Sequence, residues 1–145
     1  MSPAMRELEI LLVEDNPGDV RLTREALRER QFQHRLHVAE DGERALDFLF
    51  KRNDLSASST PDLVLLDLNL PKRSGFEVLS ALKTDEHLKV IPVVMLTTSN
   101  SADDILTCYQ KHVNCYVTKP VSFNEFVNVI HRIEDFWLST VKLPL

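Results

Sequence analysis

The sequence predicts a doubly wound α/β fold, in which helices cover both faces of a parallel sheet. Five short strand-like segments, most of them apolar runs, alternate along the 145 residues with segments whose apolar residues recur at helical spacing. Short apolar runs without polar alternation are typical of strands that are buried on both faces. Because strands that alternate with helices pair in parallel through helical crossovers, we expect a single five-stranded parallel sheet.

Each predicted element has its own local signal. The strands are predicted at residues 8–13, 35–39, 63–66, 91–96 and 114–118. Asn16 and Pro17 predict the start of the first helix, because asparagine caps helices and proline suits the first helical position. The other helices are predicted at residues 45–50, after a turn at Asp41 and Gly42, and at 76–82, 99–109 and 122–137. Ser122 and Glu125 form a capping box for the last helix, and the polar segment 51–61 predicts an exposed loop.

Polar side chains follow four of the predicted strands. Right-handed crossovers and short connections favour the flavodoxin-like strand order 2-1-3-4-5. In that order the ends of strands one and three are neighbours, and ligands bind beyond the carboxyl ends of the strands. We therefore expect these side chains to share one edge of the sheet, here called the carboxyl edge. They are Glu14, Asp15, Asp67, Asn69, Thr97 and Lys119.

The residue types at the carboxyl edge predict phosphoryl chemistry. Three carboxylates at one place need a compensating cation, and hard oxygen ligands favour Mg²⁺ or Mn²⁺. Asp67 ends the most buried run of the chain, and an aspartate can act as a covalent nucleophile that forms an aspartyl-phosphate. Lys119 can neutralise further negative charge, and the Thr97 hydroxyl can donate a hydrogen bond. Each residue alone is typical of a turn, but their joint placement indicates a site.

Composition excludes other classes of function. The formal net charge is −5, which disfavours a general electrostatic nucleic-acid surface. No apolar run approaches the length of a membrane span, and no signal-peptide pattern opens the chain, so we expect a cytoplasmic protein. Cys108 and Cys115 fit no zinc or redox spacing and are interpreted as two buried thiols. Glycine occurs three times, without a glycine-rich phosphate loop.

Four motifs in fixed order resemble the receiver domain of two-component response regulators. They are ILLVED at 10–15, LLDLNLP at 65–71 with Gly75, VMLTT at 94–98 and YVTKP at 116–120. The resemblance covers about residues 8–138. It implies a single receiver domain over 1–145, with a core at 8–138 and a short apolar tail at 139–145. It also implies a signalling protein, not an enzyme.

The resemblance assigns a role to each residue at the carboxyl edge. It implies that Asp67 accepts a phosphoryl group from a histidine of a sensor kinase and that Lys119 pairs with the phosphoryl oxygens. It also implies a cis peptide bond between Lys119 and Pro120. It implies that Thr97 is the switch hydroxyl and that Tyr116 follows it inward. The implied metal ligands are Glu14, Asp15, Asp67 and the backbone carbonyl of Asn69.

A narrower resemblance concerns the loop 51–61, the strand around Asn114 and the aromatic last helix. Together they resemble the stand-alone cyanobacterial regulators that serve phytochrome-type histidine kinases. The implied partners are such a kinase and a downstream protein, with no nucleic acid or membrane.

The last helix carries more apolar residues than one buried face requires, and no effector sequence follows it. This surplus predicts a protein contact, and we expect a symmetric dimer through the fourth helix, fifth strand and fifth helix. A tail folded back on its own domain is the alternative. The predicted interface residues are Tyr116, Phe123, Phe126, Val129, Ile133 and Phe136.

Three other functions are kept as alternatives. The protein could be an intermediate in a multistep phosphorelay. It could be a metal-dependent phosphohydrolase that works through an aspartyl-phosphate, although such enzymes carry a second acid where this chain has Asn69. It could also be a scaffold that never takes a phosphoryl group, although the full set of residues at the carboxyl edge argues against that.

Overall fold

The computed structural model describes residues 7–30, 32–52 and 59–144. Within these residues five parallel strands form one sheet in the order β2-β1-β3-β4-β5. The predicted fold class and strand order are confirmed. The strands are β1 Leu8–Val13, β2 His34–Ala39, β3 Leu63–Leu66, β4 Val93–Thr97 and β5 Cys115–Thr118. Part of the predicted loop, residues 53–58, lies outside the described residues.

Helices cover both faces of this sheet. They are α1 Pro17–Glu29, α2 Gly42–Leu49, α3 Gly75–Thr84, α4 Ala102–Gln110 and α5 Phe123–Glu134. One buried cluster joins the sheet to α2, α3 and α4, and a second joins it to α1 and α5. The central strand β3 contributes to both clusters and is at most 1% exposed at every residue. A strand that is apolar on both sides is therefore explained by two packed faces.

Side-chain caps fix where the helices begin. The five helices start after Asn16, Asp41, Ser74, Ser101 and Ser122, and each of these side chains accepts a hydrogen bond from a backbone N–H of the first turn. Such a cap contributes about 1 kcal/mol to stability. The predicted capping by Asn16 and the proline at the start of α1 are confirmed.

β2, β4 and β5 differ from their predicted bounds by one or two residues, and Asn114 explains the later start of β5. Its backbone N–H donates to the carbonyl of Val93, and its side-chain Oδ1 accepts from the N–H of Val93 at 2.8 Å. The Asn114 side chain thus takes the place of a backbone carbonyl in the hydrogen bonding between β4 and β5, and β5 begins only at Cys115. β4 begins after Pro92, since proline has no N–H to donate.

The last α-helix ends at Glu134, earlier than the predicted end near residue 137. A wider π-type turn, Asp135–Thr140, continues the chain. The hydroxyls of Ser139 and Thr140 both donate to the carbonyl of Asp135, at 2.6 and 2.9 Å. Because these side chains take an acceptor that the backbone ladder would use, they favour a change in helical geometry.

The two cysteines differ in environment. Cys108 is completely buried, and burial raises the pKa of its thiol to about 11. Cys115 is only partly buried, so the prediction of two buried thiols is wrong for this residue. The reason is its place in β5, which forms one edge of the sheet and lacks a neighbouring strand on its outer side. No helix among the described residues is long and apolar enough to cross a membrane.

Candidate functional site

Asp67 lies directly after β3 and is 7% exposed. Its backbone N–H donates to the carbonyl of Val13, which keeps the ends of β3 and β1 together. Gly75 lets the following loop fold closely over this strand end. A Cβ atom at Gly75 would lie 2.1 Å from the carbonyl oxygen of Asp67, closer than any side chain can approach. The central carboxylate is thus held on a rigid element, at the predicted position.

Glu14, Asp15 and Asp67 form an acidic cluster at this edge. One carboxylate oxygen from each residue can be chosen so that all three lie within 4.8 Å of one another. Glu14 is 2% exposed, whereas Asp15 is open to solvent. Hard oxygen donors at such spacing suit a small divalent cation with water in its remaining positions. The predicted convergence of these acids is confirmed, and the donor set fits Mg²⁺ or Mn²⁺.

Lys119 enters the same cluster from the end of β5. Its Nζ atom is 2.5 Å from Glu14 Oε1, 2.9 Å from Asp19 Oδ2 and 3.0 Å from Asp67 Oδ2. Its backbone N–H donates to the carbonyl of Thr97, which ties the loop to β4. The side chain is 4% exposed, so these are buried, charge-assisted contacts. The predicted placement of Lys119 beside Asp67 is confirmed.

Burial and charge act in opposite directions on this cluster. Burial raises the pKa of Glu14 to about 7, although the hydrogen bond and the charge of Lys119 lower it. Burial alone would lower the pKa of Lys119, but its bonds to Glu14 and Asp19 and the charge of Asp67 outweigh burial and raise it. The ammonium is therefore firmly charged. A cation that binds Glu14 and Asp67 therefore competes with the positive charge of Lys119, which already contacts both carboxylates.

Thr97 and Tyr116 are connected through the backbone of one residue, Ser99. Thr97 is completely buried, and its Oγ1 accepts from the backbone N–H of Ser99 at 3.4 Å. The hydroxyl of Tyr116 donates to the carbonyl of the same Ser99 at 2.8 Å. The Tyr116 ring packs against the buried cluster under α2, α3 and α4. The two residues that the resemblance pairs as a switch thus hold opposite sides of Ser99.

Asn69 completes the predicted set, and Asp19 is an additional residue that the sequence did not predict. Asn69 has an exposed side chain, and its N–H donates to Asp67 Oδ1 at 3.4 Å. Asp19, on the first turn of α1, contacts Lys119 and is not predicted from the sequence. The available signal is its position three residues after the capping Asn16, in the helix that follows β1. The ends of the strands predict the other site residues, whereas Asp19 lies on the next helix.

The structure corrects the implied cis bond before Pro120. Among the described residues every peptide bond is trans, including that between Lys119 and Pro120. The trans form is the more stable isomer of X–Pro bonds by about 0.5–1 kcal/mol.

Four of the six predicted dimer residues fall into two groups, while Tyr116 and Val129 are half-buried. Phe123 is 73% and Phe136 is 49% exposed, whereas Phe126 is 3% and Ile133 is 7% exposed. Phe126 and Ile133 belong to the buried cluster between the sheet, α1 and α5. Phe126 is therefore a core residue, and its prediction as an interface residue is wrong, because that side of α5 faces the sheet. Ile133 is in the core as well and reaches the surface only at a groove.

That groove lies between the edge strand β5 and the last turns of the chain. It encloses about 230 Å³ and is mainly apolar. It is lined by Cys115, Val117, Val129, Arg132, Ile133, Phe136 and Trp137. Tyr116 does not line it, because successive residues of a strand point to opposite faces of the sheet.

The comparison with known proteins identifies the class. The chain belongs to the response regulator receiver domain family, whose model matches residues 10–131. It is related to two response regulators, Rcp1 and RcpA. It is 47% identical over 135 residues to response regulator Rcp1 of Synechocystis sp. (strain ATCC 27184 / PCC 6803 / Kazusa), covering 93% of this chain and 92% of Rcp1.

Solved structures give the same relationship. The phosphorylated cyanobacterial phytochrome response regulator RcpA is 46% identical and matches with a TM-score of 0.94, covering 97% of this chain and 100% of RcpA. The Mn²⁺-bound form of Rcp1 is also 46% identical and matches with a TM-score of 0.92, covering 95% of this chain and 99% of Rcp1.

Proposed function

We propose that this protein is a signalling switch that accepts a phosphoryl group on Asp67 from a sensor histidine kinase in the cytoplasm. The observation that carries the proposal is the position of Asp67 between two kinds of charge. Glu14 and Asp15 lie beside it and can hold a cation, and Lys119 Nζ lies 3.0 Å from its Oδ2 atom. The oxygens of an incoming phosphoryl group could be neutralised by both the cation and the ammonium.

In the proposed transfer, a carboxylate oxygen of Asp67 attacks the phosphorus of a phosphohistidine on the kinase. The new O–P bond replaces the P–N bond, and the kinase keeps its histidine as the leaving group. Lys119 donates to a phosphoryl oxygen, and Thr97, at the end of the neighbouring strand, offers its hydroxyl to another. Glu14, Asp15, Asp67 and the carbonyl of Asn69 would hold Mg²⁺ or Mn²⁺, which screens the charge between donor and acceptor.

The proposed switch passes through Ser99. A Thr97 hydroxyl that turns toward the phosphoryl group loosens or moves its bond to the Ser99 N–H, and the Ser99 carbonyl is held by Tyr116. The hydroxyl of Ser99 also donates to Asp104 in the first turn of α4, at 2.6 Å. A displacement at Thr97 therefore reaches both β5 and α4, so that phosphorylation shifts the population of a two-state surface.

We propose a phytochrome-type kinase as the phosphoryl donor, because RcpA is a phytochrome response regulator and matches over its whole length. The downstream step would be a protein contact through α4, β5 and α5. Transfer onward in a multistep phosphorelay is the second candidate. A phosphohydrolase is less favoured, because the residue two positions after Asp67 is Asn69, which offers no second carboxylate.

The lifetime of the adduct separates these functions. The protein is incubated with acetyl phosphate and Mg²⁺, and phosphorylation is followed by the mass of the intact chain. A switch is expected to gain one metal-dependent phosphoryl group that decays slowly. Continuous rapid consumption of acetyl phosphate would instead indicate a phosphohydrolase, and no labelling would indicate a scaffold.

We further propose that the protein forms a symmetric dimer through the groove beside β5. An edge strand with an apolar groove next to it is a surface that a second copy can cover. Phe136, Val129 and Trp137 provide apolar area there, and Arg132 provides a charged border. Phe123 lies at the other end of α5 and would extend the contact.

Replacing Phe136 by serine is expected to weaken self-association at least about tenfold. The substitution removes an aromatic ring that is 49% exposed in the single chain and would be covered in the dimer. Sedimentation at several concentrations measures the effect, with and without acetyl phosphate and Mg²⁺. Val90→Ser is the control, since Val90 is 57% exposed but lies outside α5 and β5. A strictly monomeric wild-type protein under both conditions would contradict the dimer.

A further inference from the structure

Asp19 contacts the reactive centre but has no place in the proposed function. Its Oδ2 atom is 2.9 Å from Lys119 Nζ, and its side chain is 26% exposed, whereas that of Lys119 is 4% exposed. The start of α1 fixes it there, because its N–H donates to the capping oxygen of Asn16. The acidic group that could hold a cation contains Glu14, Asp15 and Asp67 without Asp19. Its contact with Lys119 therefore needs a separate explanation.

The ammonium group of Lys119 has three N–H donors and three carboxylate partners. All its donors are thus in use before any phosphoryl group arrives. In the proposed transfer Asp67 loses its carboxylate charge when it forms the O–P bond, and Glu14 would be a ligand of the cation. Asp19 keeps its full charge and has no other assignment. A phosphoryl group must therefore compete with the carboxylate of Asp19 for the ammonium of Lys119.

We propose that Asp19 is a positioning residue that restrains phosphorylation by holding Lys119 and sharing it with the phosphoryl group. The inference rests on the proposed function of Asp67. Asp19 acts through Lys119, and its negative charge also opposes the approach of a phosphoryl group. Both effects have the same sign, so that removal of the charge makes Asp67 easier to phosphorylate.

Lys119 stays in place without Asp19. Two of its ammonium contacts remain, to Glu14 at 2.5 Å and to Asp67 at 3.0 Å. Its backbone is fixed separately by the hydrogen bond from its N–H to the carbonyl of Thr97, at 2.7 Å. An asparagine at position 19 can still accept a hydrogen bond but carries no charge. The substitution therefore removes the competition and leaves the lysine beside Asp67.

The test is the rate of phosphorylation by acetyl phosphate at saturating Mg²⁺ and constant ionic strength. Asp19→Asn is expected to be phosphorylated about three- to tenfold faster than the wild type, the size of one charge-assisted contact. Asp19→Glu keeps the charge and is expected to return toward the wild-type rate. Glu25→Gln removes the same charge from an exposed position of α1 and is expected to stay within about twofold of the wild type.

The outcomes separate this inference from the function on which it rests. A wild-type protein that takes no phosphoryl group contradicts the proposed function itself. A labelled wild type with an equally fast or slower Asp19→Asn variant overturns the role of Asp19 and leaves the function standing. Equal acceleration by Glu25→Gln would also overturn it, by showing a general charge effect. Denaturant unfolding of each variant identifies a merely structural role, which would lower stability and rate together.

Discussion

Replacing Lys119 with methionine is expected to lower the free energy of unfolding by about 3–5 kcal/mol in metal-free solution near neutral pH. Methionine keeps the length of the side chain but removes its charge. Glu14, Asp19 and Asp67 would then face one another without the ammonium that contacts all three. Glu14 is 2% exposed, so water cannot take over the lost interaction. Denaturant unfolding in the presence of a chelator measures the loss.

Divalent metal provides the diagnostic control for this variant. Mg²⁺ is expected to stabilise Lys119→Met more than it stabilises the wild type, because the cation then replaces the missing charge without competition. Lys89→Met is the matched control, since Lys89 is exposed and its substitution is expected to change stability by less than about 1 kcal/mol. A Lys119→Met variant with wild-type stability in both conditions would contradict the electrostatic description of the site.

Replacing Glu134 with glutamine is expected to raise the free energy of unfolding by about 2–3 kcal/mol near pH 8 and by little near pH 4. Glu134 is 1% exposed, and among the described residues neither of its carboxylate oxygens has a hydrogen-bond partner. Burial raises its pKa to about 7 from an ordinary value of 4.5, and the nearby charges of Asp135 and Glu29 add to this while Arg30 opposes it. His131, on the same helix, contacts Glu29 at 3.2 Å.

The direction of this pH dependence follows from the raised pKa. The folded protein binds the proton of Glu134 more tightly than the unfolded chain does. The protonated side chain therefore contributes fully to the stability of the fold below the unfolded pKa of about 4.5. This contribution to stability is lost as the pH rises through about 7. Glu14 has a similarly raised pKa, so the informative quantity is the difference between variant and wild type at each pH.

Glu25→Gln is the control for this series, because Glu25 is exposed on α1. Its difference from the wild type is expected to be small and flat with pH. A Glu134→Gln variant whose gain in stability does not grow between about pH 4 and pH 8 would show that Glu134 is solvated or paired.

The sheet and the carboxyl edge were predictable because both depend on simple periodic signals. Four apolar residues from Leu63 to Leu66 identify the central strand, and the parallel order then places Asp67 beside Glu14 and Asp15. Lys119 and Thr97 follow from the same geometry, since they come directly after neighbouring strands. These residues are fixed by the backbone, so a pattern in the sequence is enough to locate them.

Residues on helices were predicted less well, because their positions depend on how each helix is rotated against the sheet. Asp19 lies four residues beyond Asp15 and reaches Lys119 only because α1 turns that face toward the site. Phe126 was placed on a partner surface, although α5 turns it into the core. Glu134 follows Phe126 and Ile130 at intervals of four residues, and this spacing puts a charged residue on the buried face. The apolar pattern of a helix such as α5 does not by itself identify which side of the helix packs against the sheet.

The proposed transfer of a phosphoryl group from a histidine kinase to Asp67 can be measured directly. The direct measurement mixes an autophosphorylated phytochrome-type kinase with this protein in the presence of Mg²⁺ and follows the label on both chains. We expect the kinase to lose its label while the wild-type protein gains one phosphoryl group that maps to Asp67, and we expect no transfer to Asp67→Asn. Transfer to Asp67→Asn with the same stoichiometry as to the wild type would contradict the account.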